Sequence, residues 1–487
     1  MRALRAHLSH RRARSAPPGH GLHVFRRRRP GSGEGGLRAR GPQPGLQRHH
    51  GRAPHHRGHH LRDRAGRGSP DRPRGHPRGL DDQVRQPDQP HGPGRVALRP
   101  LLQGGVPDGP GRGRLPGLAG PVRVIDADGH VQEDSSEILE YLPATYRELA
   151  LETPRSVGLV PPVVGLFPPL DHVHTSFRHS AASFNRAGRV RAPQWREFLD
   201  TVGISAAVLY PTAGLSIGRV NYPEVAVALA RAYNDWLSDT HTSADDRLSG
   251  MALLPLQTPA AAVEELQRAV TELGLVGAML PSNGLKGHLG SREYWPVYAE
   301  AERLGCAISV HGGCHANFGI DHLDVWPFVH ALGHPWGQMI ALAGIVSNGI
   351  LDRHPGLRIA FLEGGVNWFV TCLERFDNSW AAFSQHDPAG RFCAVEPGER
   401  VSDYVLAHAD AGRVFVGCEG DELGLARFVE LVGSAPLVFS SDFPHEVTAD
   451  TCRQEIGELL ENPDLAHSDK QAILAGNAER LYGALAA

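Results

Sequence analysis

Eight short, almost unbroken apolar runs recur through the chain after residue 121, and most of them are followed by a helical pattern. The runs are 122–127, 204–210, 248–255, 276–280, 306–310, 357–362, 413–417 and 437–441. Strands that are apolar on both faces belong to parallel sheets covered on both sides. Apolar residues at i, i+3 and i+4 mark helices over 223–240, 260–274, 292–305, 326–353, 367–383, 425–433 and 469–485. Eight strands alternating with helices predict a (β/α)8 TIM barrel. A doubly wound sheet is the competing architecture, but no glycine-rich phosphate fingerprint follows the first run. The stretch 131–203 is far longer than an ordinary strand–helix connection and reads as a lid or substrate-binding insertion.

Residues 1–121 differ in kind from residues 122–487. Residues 1–120 hold 25 Arg, no Lys and 7 acidic residues, a net charge of +18. The remainder carries −21, so the near-neutral total hides a basic head and an acidic body. The head is rich in Arg, Gly, Pro and His, and Phe25 is its one aromatic residue. Such a segment buries too little apolar surface to offset its ordering entropy, and it reads as disordered. Translation of GC-rich DNA outside the true reading frame accounts for this composition. A basic tail and a targeting segment are the other readings. The chain has only two lysines, Lys286 and Lys470, and no Met between Met1 and Met251. The six cysteines (306, 314, 372, 393, 418 and 452) form no CxxC pair and no disulfide framework. Reduced thiols in a cytoplasmic protein are expected. No run is apolar over a bilayer's length, and the acidic body argues against specific nucleic-acid binding.

Side chains with metal chemistry stand where the strands end. The first run leads into Asp128-Gly129-His130, the fifth into His311, the sixth into Glu363-Gly364-Gly365 and the eighth into Asp442, Pro444 and His445. Residues i and i+2 of an extended chain share a side, so Asp128 and His130 can reach one ion. Carboxylates and imidazoles at the carboxyl ends of barrel strands are how this fold builds a metal centre. Each residue has a plainer reading. Asp128 could be a turn residue, Glu363 could cap the helix after it, and His445 could be an exposed turn residue. His330 and His334, spaced i, i+4, could bind metal, but ordinary helix packing is the simpler reading for them and for His315. His172 and His174 could line a pocket in the insertion. Trp236, Trp336 and Trp368 read as core or rim residues of barrel helices. The head histidines, such as His49, His50, His55 and His56, would take up metal without catalytic meaning.

The motifs DADGH, VLYPTAGL, AYNDWL, GMALLPLQ, DRHPGLRIAFLEGG, FSSDFPH and GNAERLYG stand in this order between residues 126 and 483. In this the chain resembles the amidohydrolase-related family, in the branch that holds aminocarboxymuconate-semialdehyde decarboxylase and similar aromatic-acid decarboxylases. The resemblance implies metal ligands at Asp128, His130, His311 and Asp442, with Asp442 also moving a proton. The fourth run ends in VGAMLPSNG without a bridging group, which implies a single divalent ion. Two carboxylates and two imidazoles suit Zn2+ best, with Mn2+ and Fe2+ also open. Glu363 stands where many of the decarboxylases carry a His. Asp442, Glu363 and His445 are the expected catalytic residues. The activity implied is non-oxidative decarboxylation of a small aromatic or unsaturated carboxylic acid, with hydrolysis of a C–N, C–O or C–C bond as the alternative. A barrel that has lost catalysis and serves as a scaffold is the alternative of another class. Relatives of this kind often form homodimers.

Overall fold

The computed structural model describes residues 122–148, 166–168, 190–320, 322–386 and 395–485. The basic head, Cys393, and His172 and His174 lie outside the described residues, as does most of the expected insertion. All eight apolar runs become strands: β1 (Ile125–His130), β2 (Ala206–Tyr210), β3 (Leu248–Leu253), β4 (Gly277–Pro281), β5 (Ala307–His311), β6 (Arg358–Leu362), β7 (Val414–Cys418) and β8 (Leu437–Phe439). Neighbouring strands are parallel and follow chain order from β1 to β8. Every strand residue is buried except Ser249 and Arg358, which are intermediate. Helices cover the outside, so the strands are apolar on both faces, as in a (β/α)8 barrel.

Residues just beyond β8 bring the ring nearly to closure. The Asp442 amide donates to the Asp128 carbonyl at 3.0 Å, and the His130 amide donates to the Phe443 carbonyl at 2.7 Å. β1 runs three residues further than the apolar pattern indicated, because Gly129 and His130 still pair with Leu209 and Tyr210 after a register shift that follows Asp126. Asp128 and His130 therefore sit within the strand, and Asp128 lies inside its irregularity.

The helix Ala192–Val202 belongs to the barrel, although the sequence reading assigned its residues to the insertion. It begins with a proline in its first turn and ends at Gly203 in the left-handed region. Its buried aromatic face clamps both ends of the ring. A Cβ at Gly129 would fall 2.3 Å from Trp195 Cη2, so only glycine lets β1 pass this close. Trp195 Nε1 donates to the His130 carbonyl at 3.1 Å. Phe443 packs edge-on to Trp195 at 4.9 Å and stacks on Phe198 at 3.8 Å. The helices Val401–Asp410 and Ala449–Glu461 were also not foreseen. Trp236 and Trp368 are core residues, and Trp336 is 46% exposed on the helix Trp326–Ser347, within the core-or-rim expectation. Among the described residues no helix is long and apolar enough to cross a membrane, and the five described cysteines are buried.

Candidate metal centre

The strand ends bring Asp128, His130 and His311 together with no solvent exposure. One potential donor atom from each lies within 4.8 Å of the others. His130 Nδ1 donates to the Pro211 carbonyl at 2.9 Å, which fixes the ring and turns Nε2 toward the site as a possible ligand atom. That Nε2 is buried without a hydrogen bond, 3.7 Å from Asp128 Oδ1 and 3.4 Å from Asp442 Oδ1. His311 turns Nε2 to Asp128 Oδ1 at 3.1 Å. Its Nδ1 faces the Gly312 carbonyl at 3.1 Å and Glu363 Oε2 at 3.2 Å. Two imidazoles locked from behind, with their other nitrogens converging on a carboxylate, are a donor set for a divalent cation. The orphaned His130 Nε2 is the observation that fits such an ion best, since a buried nitrogen without a partner is costly.

Asp442 stands at the open edge of this set with 19% of its side chain exposed. It takes φ +55°, and Glu363 takes φ +57°. Non-glycine residues held in the left-handed region cluster at functional sites, where surrounding structure over-determines them. Asp442 Oδ1 accepts from His445 Nδ1 at 2.7 Å, and His445 Nε2 lies 2.9 Å from Thr212 Oγ1. Thr212 Oγ1 donates to the Val131 carbonyl, so it accepts from His445. Both His445 nitrogens then carry protons, and the ring is not an exposed turn residue. Behind Thr212, the Glu133 carboxylate accepts from the amides of Thr212, Ala213 and Gly214.

Burial and charge set the protonation of the group. Burial raises the Asp128 carboxyl, and the neighbouring His311 opposes this. Burial, aided by His445 and His311, pushes His130 well below its ordinary value, as a metal ligand requires. Burial would depress His311 and His445 as well. Asp128 outweighs it for His311 and Asp442 for His445, and each is pushed up to about 9. Glu363 is buried, yet the imidazoles of His334, His311 and His130 hold its carboxyl well below the usual range.

All four expected metal ligands and all three expected catalytic residues therefore meet at one end of the barrel. Glu363 does not cap the following helix; Glu422 accepts from the Val366 amide there at 2.8 Å. His330 packs on Trp326 of its own helix at 4.8 Å, as ordinary helix packing would have it, and His334 reaches further. His334 Nδ1 lies 3.1 Å from Glu363 Oε2, and the His315 and His330 rings each lie 4.5 Å from the His334 ring. Sequence reasoning also passed over Asp126. Its carboxylate is fully buried and accepts from the Ser441 amide at 2.9 Å and hydroxyl at 2.5 Å, bracing the residue before Asp442. The aspartates at 126 and 128 were a visible signal, since alternate residues of a strand share a face.

The sequence model of the amidohydrolase family matches residues 191–484. A gamma-resorcylate decarboxylase of Rhodococcus jostii is 30% identical over 279 residues, 53% of this chain and 78% of the relative. A 2-amino-3-carboxymuconate-6-semialdehyde decarboxylase of Dictyostelium discoideum is 26% identical over 274 residues, 56% of this chain and 71% of the relative. Among solved structures, 5-carboxyvanillate decarboxylase of Novosphingobium aromaticivorans, with bound manganese and 3-methoxy-4-hydroxy-5-nitrobenzoic acid, superposes with a TM-score of 0.55. It is 17% identical, and the match covers 74% of this chain and 97% of that one, a likeness that speaks to the fold. A family match over more than half of the chain, on a barrel whose strand ends gather these ligand types, makes the chain a member of the amidohydrolase family.

Proposed function

We propose that the barrel is a metal-dependent, non-oxidative carboxy-lyase acting on a small aromatic or unsaturated carboxylic acid. The observation that carries the reading is the Asp442–His445 pair, 2.7 Å apart, at the open edge of the buried Asp128–His130–His311 set. That arrangement sets a proton source beside a cation site. The decarboxylase activities of the relatives support the same reading.

Asp128, His130, His311 and Asp442 would hold one divalent ion. When bound, the ion supplies positive charge that binds a substrate oxygen and draws electron density from the bond to be broken. The chain's own residues do the rest. The Pro211 and Gly312 carbonyls fix the two imidazoles from behind, and the Glu363 carboxylate lies beside His311. The Asp442–His445 pair holds a proton where the reacting carbon would sit. The C–C bond to the carboxylate breaks, CO2 leaves, and the electron pair stays on the carbon. That carbon takes the proton from the pair, so RCOO− and H+ become RH and CO2. Glu363, 3.2 Å from His311, is a positioning residue in this scheme. Zn2+, Mn2+ and Fe2+ are all compatible with the donor set; its second carboxylate favours a hard ion such as Mn2+.

The test incubates the metal-loaded protein with a panel of hydroxybenzoates and of the corresponding amides, following CO2. Release of CO2 that disappears in His130→Ala is the expected result. Turnover of an amide without CO2 would replace the lyase by a hydrolase.

A further inference from the structure

We propose a second divalent-cation site, built by His330 and His334 of the helix Trp326–Ser347 together with Glu363. The two histidines are one helical turn apart, so both project from the same face. One donor atom from each of the three residues lies within 4.8 Å of the others. His334 Nδ1 and Glu363 Oε2 are 3.1 Å apart, and both atoms are buried, yet neither makes a hydrogen bond. The nitrogen therefore does not point along the line to the oxygen. Two donors at about 2.0–2.2 Å from one ion also come to lie about 3 Å apart while pointing at a third position. The pair stands at a separation that two ligands of a common ion also take.

The backbone is shaped around these rings. A Cβ at Gly312 would fall 2.5 Å from His334 Nδ1, and one at Gly333 would fall 2.2 Å from His315 Cδ2. His334 thus sits against bare backbone, with the His315 and His330 rings each 4.5 Å away. The set uses none of Asp128, His130, His311 or Asp442. It meets the first centre through Glu363 and His311, 3.2 Å apart. Two imidazoles and one carboxylate on one face suit Zn2+, Mn2+ or Fe2+ and leave positions open for an oxygen of an anionic ligand. The inference does not depend on the reaction proposed for the first centre.

The experiment strips the full-length protein with a chelator, reloads it with Co2+, desalts it and measures cobalt per chain. Wild type is compared with His330→Ala, His334→Asn, His130→Ala and the double variant His130→Ala/His330→Ala. The histidine-rich head takes up cobalt equally in all of them and cancels in the differences. His330 is partly exposed, and melting of the stripped proteins shows that the variants fold. His330→Ala and His334→Asn should each hold one cobalt fewer than wild type, and the double variant two fewer. Wild-type cobalt content in both His330→Ala and His334→Asn overturns the second site. Wild-type content in His130→Ala instead overturns the first centre and leaves the second standing.

Discussion

Asp442 and Glu363 hold backbone angles that cost a side-chain-bearing residue of order 1–3 kcal/mol each, Asp442 beside His130 and His445 and Glu363 beside His311 and His334. The positions are spent on aiming carboxylates, so substitutions that keep the backbone but change the charge are informative. Asparagine tolerates the left-handed region, so Asp442→Asn should fold and lose proton delivery, with turnover down roughly 10²–10⁴-fold. Steady-state CO2 release reads this directly, and a variant with near wild-type turnover would remove Asp442 from the chemistry. Glu363→Gln keeps the shape behind His311 but removes the charge that holds the ring. Loss of such an outer partner costs about 10–100-fold in metal affinity, which competition with a chromophoric chelator measures; unchanged affinity would reduce Glu363 to a bystander. The strand-end candidates were legible because barrels place catalytic side chains there. Thr212 was missed because a loop threonine carries no local mark. The i, i+4 spacing of His330 and His334 was visible too, but not what they face. Only the close approach of Gly312 to His334 shows it.

At the scale of elements, the eight strands were legible because burial on both faces leaves them unbroken apolar runs. The helix Ala192–Val202 was hidden. Its sequence APQWREFLDTV follows a long polar stretch, and its buried face becomes evident only when Trp195 and Phe198 meet Phe443. The turn after the helix Pro223–Leu237 carries a separate consequence. His241, in the π-helical turn Ser238–Thr242, is 1% exposed and packs 4.9 Å from Trp236. Burial, with Arg191 adding to it, lowers its pKa from 6.5 to about 4. The folded chain keeps His241 neutral down to about pH 4, while the unfolded chain binds its proton near pH 6.5. Stability therefore falls as pH drops through that window, by roughly 3 kcal/mol from this one group. His241→Gln should lose that part of the acid sensitivity. Denaturant melts of the two proteins at pH 7 and pH 4.5 would show their stability difference move toward the variant. A constant difference would mean the ring is hydrated in the fold.

For the whole molecule, the charge division was plain in the sequence, and so were the barrel and its eight strands. How the ring closes was not, because closure depends on a register shift in β1 and on residues that follow β8. The proposed metal ligands lie across that seam: Asp128 and His130 come from β1, His311 from β5 and Asp442 from the turn after β8. An ion held by all four would join the first and last strands in addition to the two backbone hydrogen bonds already there. Binding to the folded state alone stabilises it by about 2.7 kcal/mol at a free concentration one hundred times Kd. For a barrel of this size that corresponds to a rise in melting temperature on the order of 5 °C. Thermal melts of full-length protein with excess Mn2+ and with excess chelator should differ by this amount. In His130→Ala the part of the rise due to this centre should vanish. His330→Ala serves as the control, since it leaves the seam intact and should retain that part. An equal metal-dependent rise in wild type and His130→Ala would mean that the ion does not bridge β1 and the turn after β8. The barrel would then close by its backbone and the Trp195–Phe198–Phe443 packing alone.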